Sequence, residues 1–452
     1  MSKSTSKKRT SLQNQWQEQW QAIEDAGGRY QYVQQQLKAQ GFMLERRPID
    51  SMTASERERY KKQLKAEAAA RKQLKKDTWQ AYKAHHIVHL GHGVYWTDDQ
   101  SDDKYDIKDR QNRLIENGLP VFKNPQALAS ALGLTIPRLK GLCYQADVAT
   151  HVPYTHFTIT KRSGADRQIW APIPMLKTVQ RFILSEILNN LPIHGSSHGF
   201  IQGKSVLTNA KPHSDSRILI KLDIKDFFPT ISFRRVKGVF RQAGYQEQIA
   251  TLLALLCTES PRDIVKHDGT TYYVSLGERC LPQGAPTSPA LSNVVCLQLD
   301  RRLTGLAVKH GLRYSRYADD LTFSVPQNTK ASDEELAKLI PLLLGSVSKI
   351  LSEEGFVLHS KKSTILRQGA QQAVTGLVVN DKQEPRSPRH IKRMLRSALH
   401  NLEQGKPLPE NETIERLMGY VAWVGLSEPE KGRVLLSRLQ VVAQRLDKDK
   451  SI

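Results

Sequence analysis

Two carboxylate-bearing stretches limit the folds open to this 452-residue chain more than any other feature. In the first, Leu219-Ile220-Lys221-Leu222-Asp223-Ile224-Lys225-Asp226-Phe227-Phe228, an apolar strand-like run ends on an aspartate. Alternation along a strand sends Asp223 to the face opposite Leu222 and Ile224. A carboxylate on a buried strand is costly unless a cation or hydrogen-bond donors compensate it. In the second, Tyr317-Ala318-Asp319-Asp320 sits between strand-like runs within 314–325. Alone, it reads as a hairpin turn with solvent-exposed aspartates. A sheet that brings both segments together would hold hard divalent cations, because Mg²⁺ prefers oxygen ligands and often completes its shell with substrate phosphates. Two such ions roughly 3.5 to 4 Å apart activate an attacking hydroxyl and stabilise a leaving pyrophosphate, which is nucleotidyl transfer.

Around these stretches the pattern is mixed. Apolar runs predict strands over Arg217–Ile224, Tyr314–Val325 and Ala373–Val379, and helical periodicity marks Met175–Leu191, Gln246–Cys257, Pro289–Leu306 and Asp333–Glu354. Between the two carboxylate stretches lies Leu281-Pro282-Gln283-Gly284-Ala285-Pro286-Thr287-Ser288-Pro289-Ala290-Leu291-Ser292-Asn293, an open loop that enters a helix near Pro289. Residues Ser55 to Lys83 are nearly all good helix formers, with Thr53 or Ser55 as N-cap. The acidic run Asp98–Asp109 reads as a linker. From Pro385 onward the pattern is helical only, and its first helix carries Arg389, Lys392, Arg393 and Arg396 along one face. The expected class is α+β.

Charge sets the choice of partner. With 67 Lys+Arg against 45 Asp+Glu, the net charge is +22, which favours a polyanion and nucleic acid first. No window approaches the roughly 18 to 20 apolar residues of a membrane span. The N-terminal MSKSTSKKRTSLQNQW has no apolar stretch behind its charges, so no secretory leader is expected. Cys143, Cys257, Cys280 and Cys296 lie far apart, which argues against a disulfide frame or a zinc ribbon. The expectation is a soluble, cytoplasmic protein without a membrane partner.

Taken in order, LDIKDFF, LPQGAPTSPALSN and YADD resemble the central blocks of reverse transcriptases. Three motifs in order are far more specific than one. Asn209-Ala210-Lys211-Pro212-His213 resembles the N-A-x-x-H motif, and Val374-Thr375-Gly376 the V-T-G motif, of bacterial retron reverse transcriptases. The resemblance runs from about Asn124 to Leu439. The long N-terminal extension and the stretches HLGHGVYW and LALLCTESPR are most similar to the extended, myxobacterial-type branch.

The resemblance implies a right-hand polymerase fold: a basic, helical extension (1–115), fingers and a palm with an antiparallel sheet (116–385), and a helical thumb (386–452). It implies that Asp223 and Asp319, supported by Asp320, bind two Mg²⁺ ions, with Mn²⁺ able to substitute. Phe228 falls where the family places an aromatic gate against a ribose 2′-OH, and Gln283 matches the loop glutamine at the incoming nucleotide. Lys161 and Arg167, in a stretch that resembles the family's fingers hairpin, would grip the deoxynucleoside triphosphate. Lys362 aligns with a lysine that acts on the leaving pyrophosphate. Because His359 and Ser363 depart from the usual Asn and Thr, Lys361 competes with it for that role.

Asn209, His213, Val374, Thr375 and Gly376 would mark recognition of a cognate structured noncoding RNA. Retron enzymes start DNA from an internal guanosine 2′-OH of that RNA and leave a branched RNA–DNA product. They are associated with antiphage defence, usually with an effector protein. The basic face of Arg389, Lys392, Arg393 and Arg396 would track the template–product duplex. No RNase H carboxylate set is visible near the C-terminus. The competing readings are a group II intron-like or other bacterial reverse transcriptase and a non-catalytic RNA-binding regulator. The two retron motifs oppose the first and the intact carboxylates the second.

Two features invite other readings. His85, His86, His89 and His92 crowd together, yet lack the Cys or carboxylate partners of a zinc site. The stretch Gln126–Leu139 imitates a helix-turn-helix, but a small packed helix pair explains it equally well.

Overall fold

The Ser216–Asp223 run forms a strand with neighbours on both edges and cover on both faces, which is why its sequence is almost continuously apolar. In the computed structural model, which describes residues 16–96, 108–160, 164, 166–381, 384–409 and 412–449, the strands are as follows. They are β1 (Val148–Ala149), β2 (Tyr154–Thr160), β3 (Asp166–Pro172), β4 (Ser216–Asp223), β5 (Arg262–His267), β6 (Thr270–Ser275), β7 (Arg313–Tyr317), β8 (Asp320–Pro326), β9 (Thr364–Arg367), β10 (Ala373–Val374) and β11 (Leu377–Val378). By internal packing the chain divides into two units. One comprises residues 1–155, 172–182 and 240–278; the other comprises 156–171, 183–239 and 279–452.

The first unit is helical with a small sheet, β1-β6-β5. Its longest helix, Ala54–His85, starts where expected: the Thr53 hydroxyl accepts from the Glu56 amide while the Glu56 carboxylate accepts from the Thr53 amide. The helix packs on Arg29–Ala39 and buries Glu67, which is held by Arg46 at 3.1 Å and Arg71 at 2.9 Å. Glu247–Cys257 is buried from Gln248 to Cys257, as a helix apolar all round must be. The supposed helix-turn-helix is a pair of short helices, Pro125–Ala131 and Ile136–Cys143, whose apolar residues pack inward. Of the expected acidic linker, residues 98–107 lie outside the described residues.

The second unit is built on the antiparallel sheet β7-β8-β4-β9. The run Tyr314–Val325 folds back on itself as the β7–β8 hairpin. Helix Asp333–Glu353 matches its predicted span closely; helix Pro174–Glu186, most of which belongs to the first unit, ends five residues short of the predicted Leu191. The predicted Pro289–Leu306 helix is two, Ser288–Val295 and Leu297–Lys309, broken at Cys296. Ala373–Val379 also departs from expectation. It is a tight hairpin of β10 and β11 because Thr375 and Gly376 both take positive φ, 44° and 86°. The C-terminal helices Arg389–Glu403, Ile414–Ser427 and Pro429–Asp449 share their own apolar core around Leu395, Leu399, Leu417, Val421, Val424 and Leu439. The class is α+β, with a helical N-terminal region. Among the described residues no helix is long and apolar enough to cross a membrane.

Candidate active site

The register of β4 against β8 decides where the carboxylates go. It pairs Asp223 with Asp320, one residue beyond the apolar pair Leu222 and Leu321. Tyr317 pairs with Asp320 across β7 and β8, so Ala318 and Asp319 alone make the turn. The Ile224 amide donates to the Asp319 carbonyl at 3.0 Å, which fastens that turn to the end of β4. All three aspartates therefore gather at one end of the sheet. Asp223 is 8% exposed.

Their electrostatics follow from crowding. Burial raises the Asp319 pKa, and the neighbouring Asp223 raises it further, while its own backbone amide, Lys362 and Arg167 oppose this. Burial, then the charge of Asp319, push Asp320 up to about 6. Burial and mutual repulsion thus disfavour the ionised forms of Asp319 and Asp320. Among the described residues, no set of three or more His, Cys, Asp or Glu side chains forms a ready metal cage. The oxygen donors of Asp223, Asp319 and Asp320 suit a hard cation that takes its remaining ligands from a bound phosphate.

Lys362 ends the short turn Ser360–Lys362, and its Nζ donates to both carboxylate oxygens of Asp223 at 3.0 Å. The His359 amide donates to the Asp223 carbonyl at 2.8 Å, so the turn is anchored to the strand it serves. Of the two candidate lysines, it is Lys362 that reaches the carboxylates, and it remains 57% exposed towards solvent. Lys361 is exposed as well.

Phe227 and Phe228 divide their tasks by side. Phe227 is buried against Phe356, with ring centroids 5.7 Å apart, and Phe228 is left half-buried. The Gln283 carbonyl accepts from the Trp170 amide at 2.8 Å, joining the loop to β3. Gly284, at φ 122°, permits this approach, since a Cβ there would lie 2.9 Å from the Trp170 carbonyl oxygen. Arg167 is exposed on β3 and close enough to ease the charge on Asp319. Lys161 lies outside the described residues.

A buried network holds the turn, and the sequence did not reveal it. Arg316, fully buried on β7, donates to Asp300 through Nε at 2.9 Å and Nη2 at 2.7 Å. It also donates to Ser197 Oγ, Asn293 Oδ1 and the Ala318 carbonyl. Ala318 sits at φ 56°, a left-handed geometry that costs a non-glycine residue about 1–2 kcal/mol. Gly199 packs on the same residue, and a Cβ there would meet the Ala318 nitrogen at 2.8 Å. Strain persists where its surroundings over-determine it, as here. The only signal in sequence was an arginine on an otherwise buried strand.

The retron-type motif residues divide by exposure: Asn209, His213 and Val374 are buried, Thr375 is partly exposed and Gly376 is exposed. His213 is fully buried, with Nδ1 2.7 Å from Ser324 Oγ and Nε2 2.8 Å from Ser315 Oγ, so it stitches β7 to β8. Asn209 is also buried; its Nδ2 reaches Thr375 Oγ1 at 3.5 Å, while Oδ1 has no hydrogen-bond partner. Thr375 Oγ1 donates to the Val206 carbonyl at 3.1 Å, Val374 is buried, and Gly376 abuts Trp423. Asn209 and His213 therefore tie a helix and the 373–378 hairpin to the sheet, and present no polar edge to a nucleic acid.

Burial, then Arg313 and His198, depress the His213 pKa to about 3. The folded state resists a proton that the unfolded chain accepts near pH 6.5. Stability should therefore be complete above about pH 6.5 and fall as the pH drops towards 3, by up to about 1.4 kcal/mol per unit. His213→Asn should flatten that dependence. Urea midpoints between pH 7 and 4 measure it, and equal pH slopes for both proteins would reject the assignment.

On the C-terminal helix Arg389–Glu403, Arg389, Arg393 and Arg396 are exposed. Lys392 instead turns inward to Glu428 at 2.7 Å, so the expected basic face of four presents three. Within the histidine cluster His86 stacks on Tyr82 at 4.2 Å, and His92 pairs with Asp147 at 3.0 Å on the surface.

Comparison with known proteins agrees with this geometry. The profile of the reverse transcriptase (RNA-dependent DNA polymerase) family matches residues 159–393. The chain is 43% identical over 426 residues to the retron Mx162 reverse transcriptase of Myxococcus xanthus, covering 92% of this chain and 87% of that one. It is 37% identical to the retron Mx65 reverse transcriptase of the same species, over 74% of this chain and 75% of the other. Against the retron Ec86 reverse transcriptase of Escherichia coli, identity is 31% over 75% of this chain and 95% of the other.

Proposed function

Since this chain belongs to the retron reverse transcriptases, and is thus an RNA-directed DNA polymerase that works with a divalent metal, we propose that it copies a cognate structured noncoding RNA into branched single-stranded DNA. Synthesis starts from an internal guanosine 2′-OH of that RNA. The observation that carries the catalytic part is the register pairing of Asp223 with Asp320, with Asp319 beside them in the turn. Priming and the role in antiphage defence, beside an effector protein in the bacterial cytoplasm, rest on family membership.

Asp223, Asp319 and Asp320 hold the metal, for which we propose two Mg²⁺ ions. Ions held there would supply a lowered pKa for the attacking hydroxyl and charge neutralisation for the transferred phosphate. The chain's own groups do the rest. The hydroxyl loses its proton to solvent, its oxygen bonds to the α-phosphorus of a deoxynucleoside triphosphate, and the bond from that phosphorus to the bridging oxygen breaks, releasing pyrophosphate. Lys362, as an ammonium, neutralises or protonates that leaving group. Arg167 and Lys161 hold the triphosphate. Phe228 packs beneath the sugar and rejects a 2′-OH, and Gln283 lies at the base of the incoming nucleotide. The 386–452 helices act as a thumb, with Arg389, Arg393 and Arg396 on the phosphates of the duplex.

The test uses the purified protein, its native RNA, Mg²⁺ and deoxynucleotides. The expected product is DNA joined 2′–5′ to RNA, which a debranching enzyme releases. Extension only from an added primer would overturn the priming proposal and fit an intron-like enzyme. Bound RNA with no synthesis would overturn the catalytic one and leave a regulator.

A further inference from the structure

The N-terminal unit carries a groove that the catalytic reading leaves unused. It runs along the Ala54–His85 helix, beside the Arg29–Ala39 helix. One stretch of about 590 Å³ is lined by Arg29, Tyr30, Arg71, Lys75 and Trp79, among others. A second, of about 550 Å³, shares Arg71 and Lys75 and continues to Arg46, Glu67 and Lys72. Each is within the range of a nucleotide-sized ligand site. Glu67 is the one carboxylate among these residues, and Arg46 and Arg71 already neutralise it. Lys72, Lys75 and Arg29 are exposed.

The aromatic residues supply the second, independent observation. Trp79 stacks on Tyr82, with centroids 5.5 Å apart and planes 10° apart, and Tyr82 stacks on His86. Trp20 closes against Tyr82 and His86, and the Arg29 guanidinium lies 4.4 Å over Tyr82 and 5.2 Å over Trp79. The ladder fixes the Trp79 ring in advance, yet leaves it 39% exposed in the groove. Tyr30, in the same groove, is 68% exposed. If Trp79 served only to glue the two helices, it would be buried, and the groove would need no cations. A held aromatic platform flanked by cations is how single-stranded nucleic acid is gripped, by base stacking and backbone charge together.

We propose that this groove binds an unpaired segment of RNA, with a base stacked on Trp79 and phosphates on Lys72 and Lys75. The inference rests on RNA being the partner of this enzyme. It adds a site remote in sequence from the carboxylates, where an unpaired stretch of the cognate RNA would dock.

The test measures anisotropy of a labelled single-stranded RNA oligonucleotide, and of an RNA duplex of the same sequence, with the full-length protein. Trp79→Ala should weaken single-strand binding about tenfold, and Trp79→Phe should keep most of it. The pair Lys72→Gln and Lys75→Gln should reduce the slope of log affinity against log salt by about 1.4, the release expected from two phosphates. Duplex binding and extension of an added primer–template should stay at wild-type values. Both lysines are exposed, so their arm decides the matter even if Trp79→Ala unfolds. Unchanged single-strand affinity and salt slope would overturn the proposal and leave the groove to a protein partner. If the wild-type protein itself neither binds RNA nor extends a primer, the failure is that of the polymerase reading.

Discussion

Asp319→Asn is expected to abolish DNA synthesis, by about 10⁴-fold or more, while RNA binding stays within a few-fold of wild type. The substitution keeps the shape of the turn and the carbonyl that receives the Ile224 amide, so the hairpin should persist. What it removes is one charged oxygen, proposed as a metal ligand, from a cluster whose ionised forms burial and mutual repulsion already disfavour. The raised pKa of Asp319 means that its ionised form is less favoured in the folded protein than in the unfolded chain. Such a group stabilises the fold below its unfolded pKa and costs stability as the pH rises through its folded one. At pH 7, then, asparagine should leave the thermal midpoint unchanged or raise it. Primer extension, RNA anisotropy and a melt on the same sample check all three statements. Wild-type synthesis in this variant would reject the metal assignment, and a lower midpoint would reject the crowding argument.

Arg316→Met should destabilise the protein by about 3–5 kcal/mol, because it strands the Asp300 carboxylate in the interior without its cation. Among the described residues Asp300 would keep only the Tyr314 hydroxyl as a side-chain donor, at 2.8 Å. Lysine cannot repair the loss, since its single ammonium cannot reproduce a planar fork that reaches Asp300, Asn293, Ser197 and the Ala318 carbonyl together. Activity should fall further than the unfolded fraction explains, because the left-handed Ala318 loses the group that holds its carbonyl beside Asp319. Removing both charges, as Arg316→Met with Asp300→Leu, should cost less than the sum of the single changes. Urea unfolding of the four proteins gives that coupling, and strict additivity would show that the pair does not act as a unit. Steady-state kinetics at temperatures where every variant is folded separates the effect on the turn from the effect on stability.

The segments proposed as catalytic were legible because their signals are local and their order matches a known family. An aspartate ending an apolar run, a two-residue turn between β-formers and a proline-bounded loop each show in a few consecutive residues. The Thr53 cap and the Glu247–Cys257 helix were readable for the same reason. The 373–379 run misled because apolar content looks alike in a strand and in a two-strand hairpin. Only the positive φ of Thr375 and Gly376 separates them. Matching motifs also said nothing about exposure: His213 and Asn209 belong to a signature associated with RNA, yet their side chains are spent on the sheet and its neighbours. Lys392 sat on a basic helical stripe and turned out to be paired with Glu428.

By itself the sequence determined the reaction class, through motifs whose order matches a known family, and pointed to the aspartates proposed to serve it. Most of the elements that carry them follow from residue type and short-range period, which strand and helix geometry impose wherever the chain goes. Tertiary structure alone decided that Lys362 rather than Lys361 reaches Asp223, that Arg316 and Asp300 neutralise each other inside the core, and that an aromatic ladder stands beside a basic groove. Those outcomes depend on which distant residues share a dry, low-dielectric neighbourhood. There an ion pair or a stacked ring gains its strength from burial, and burial is a property of the packed chain.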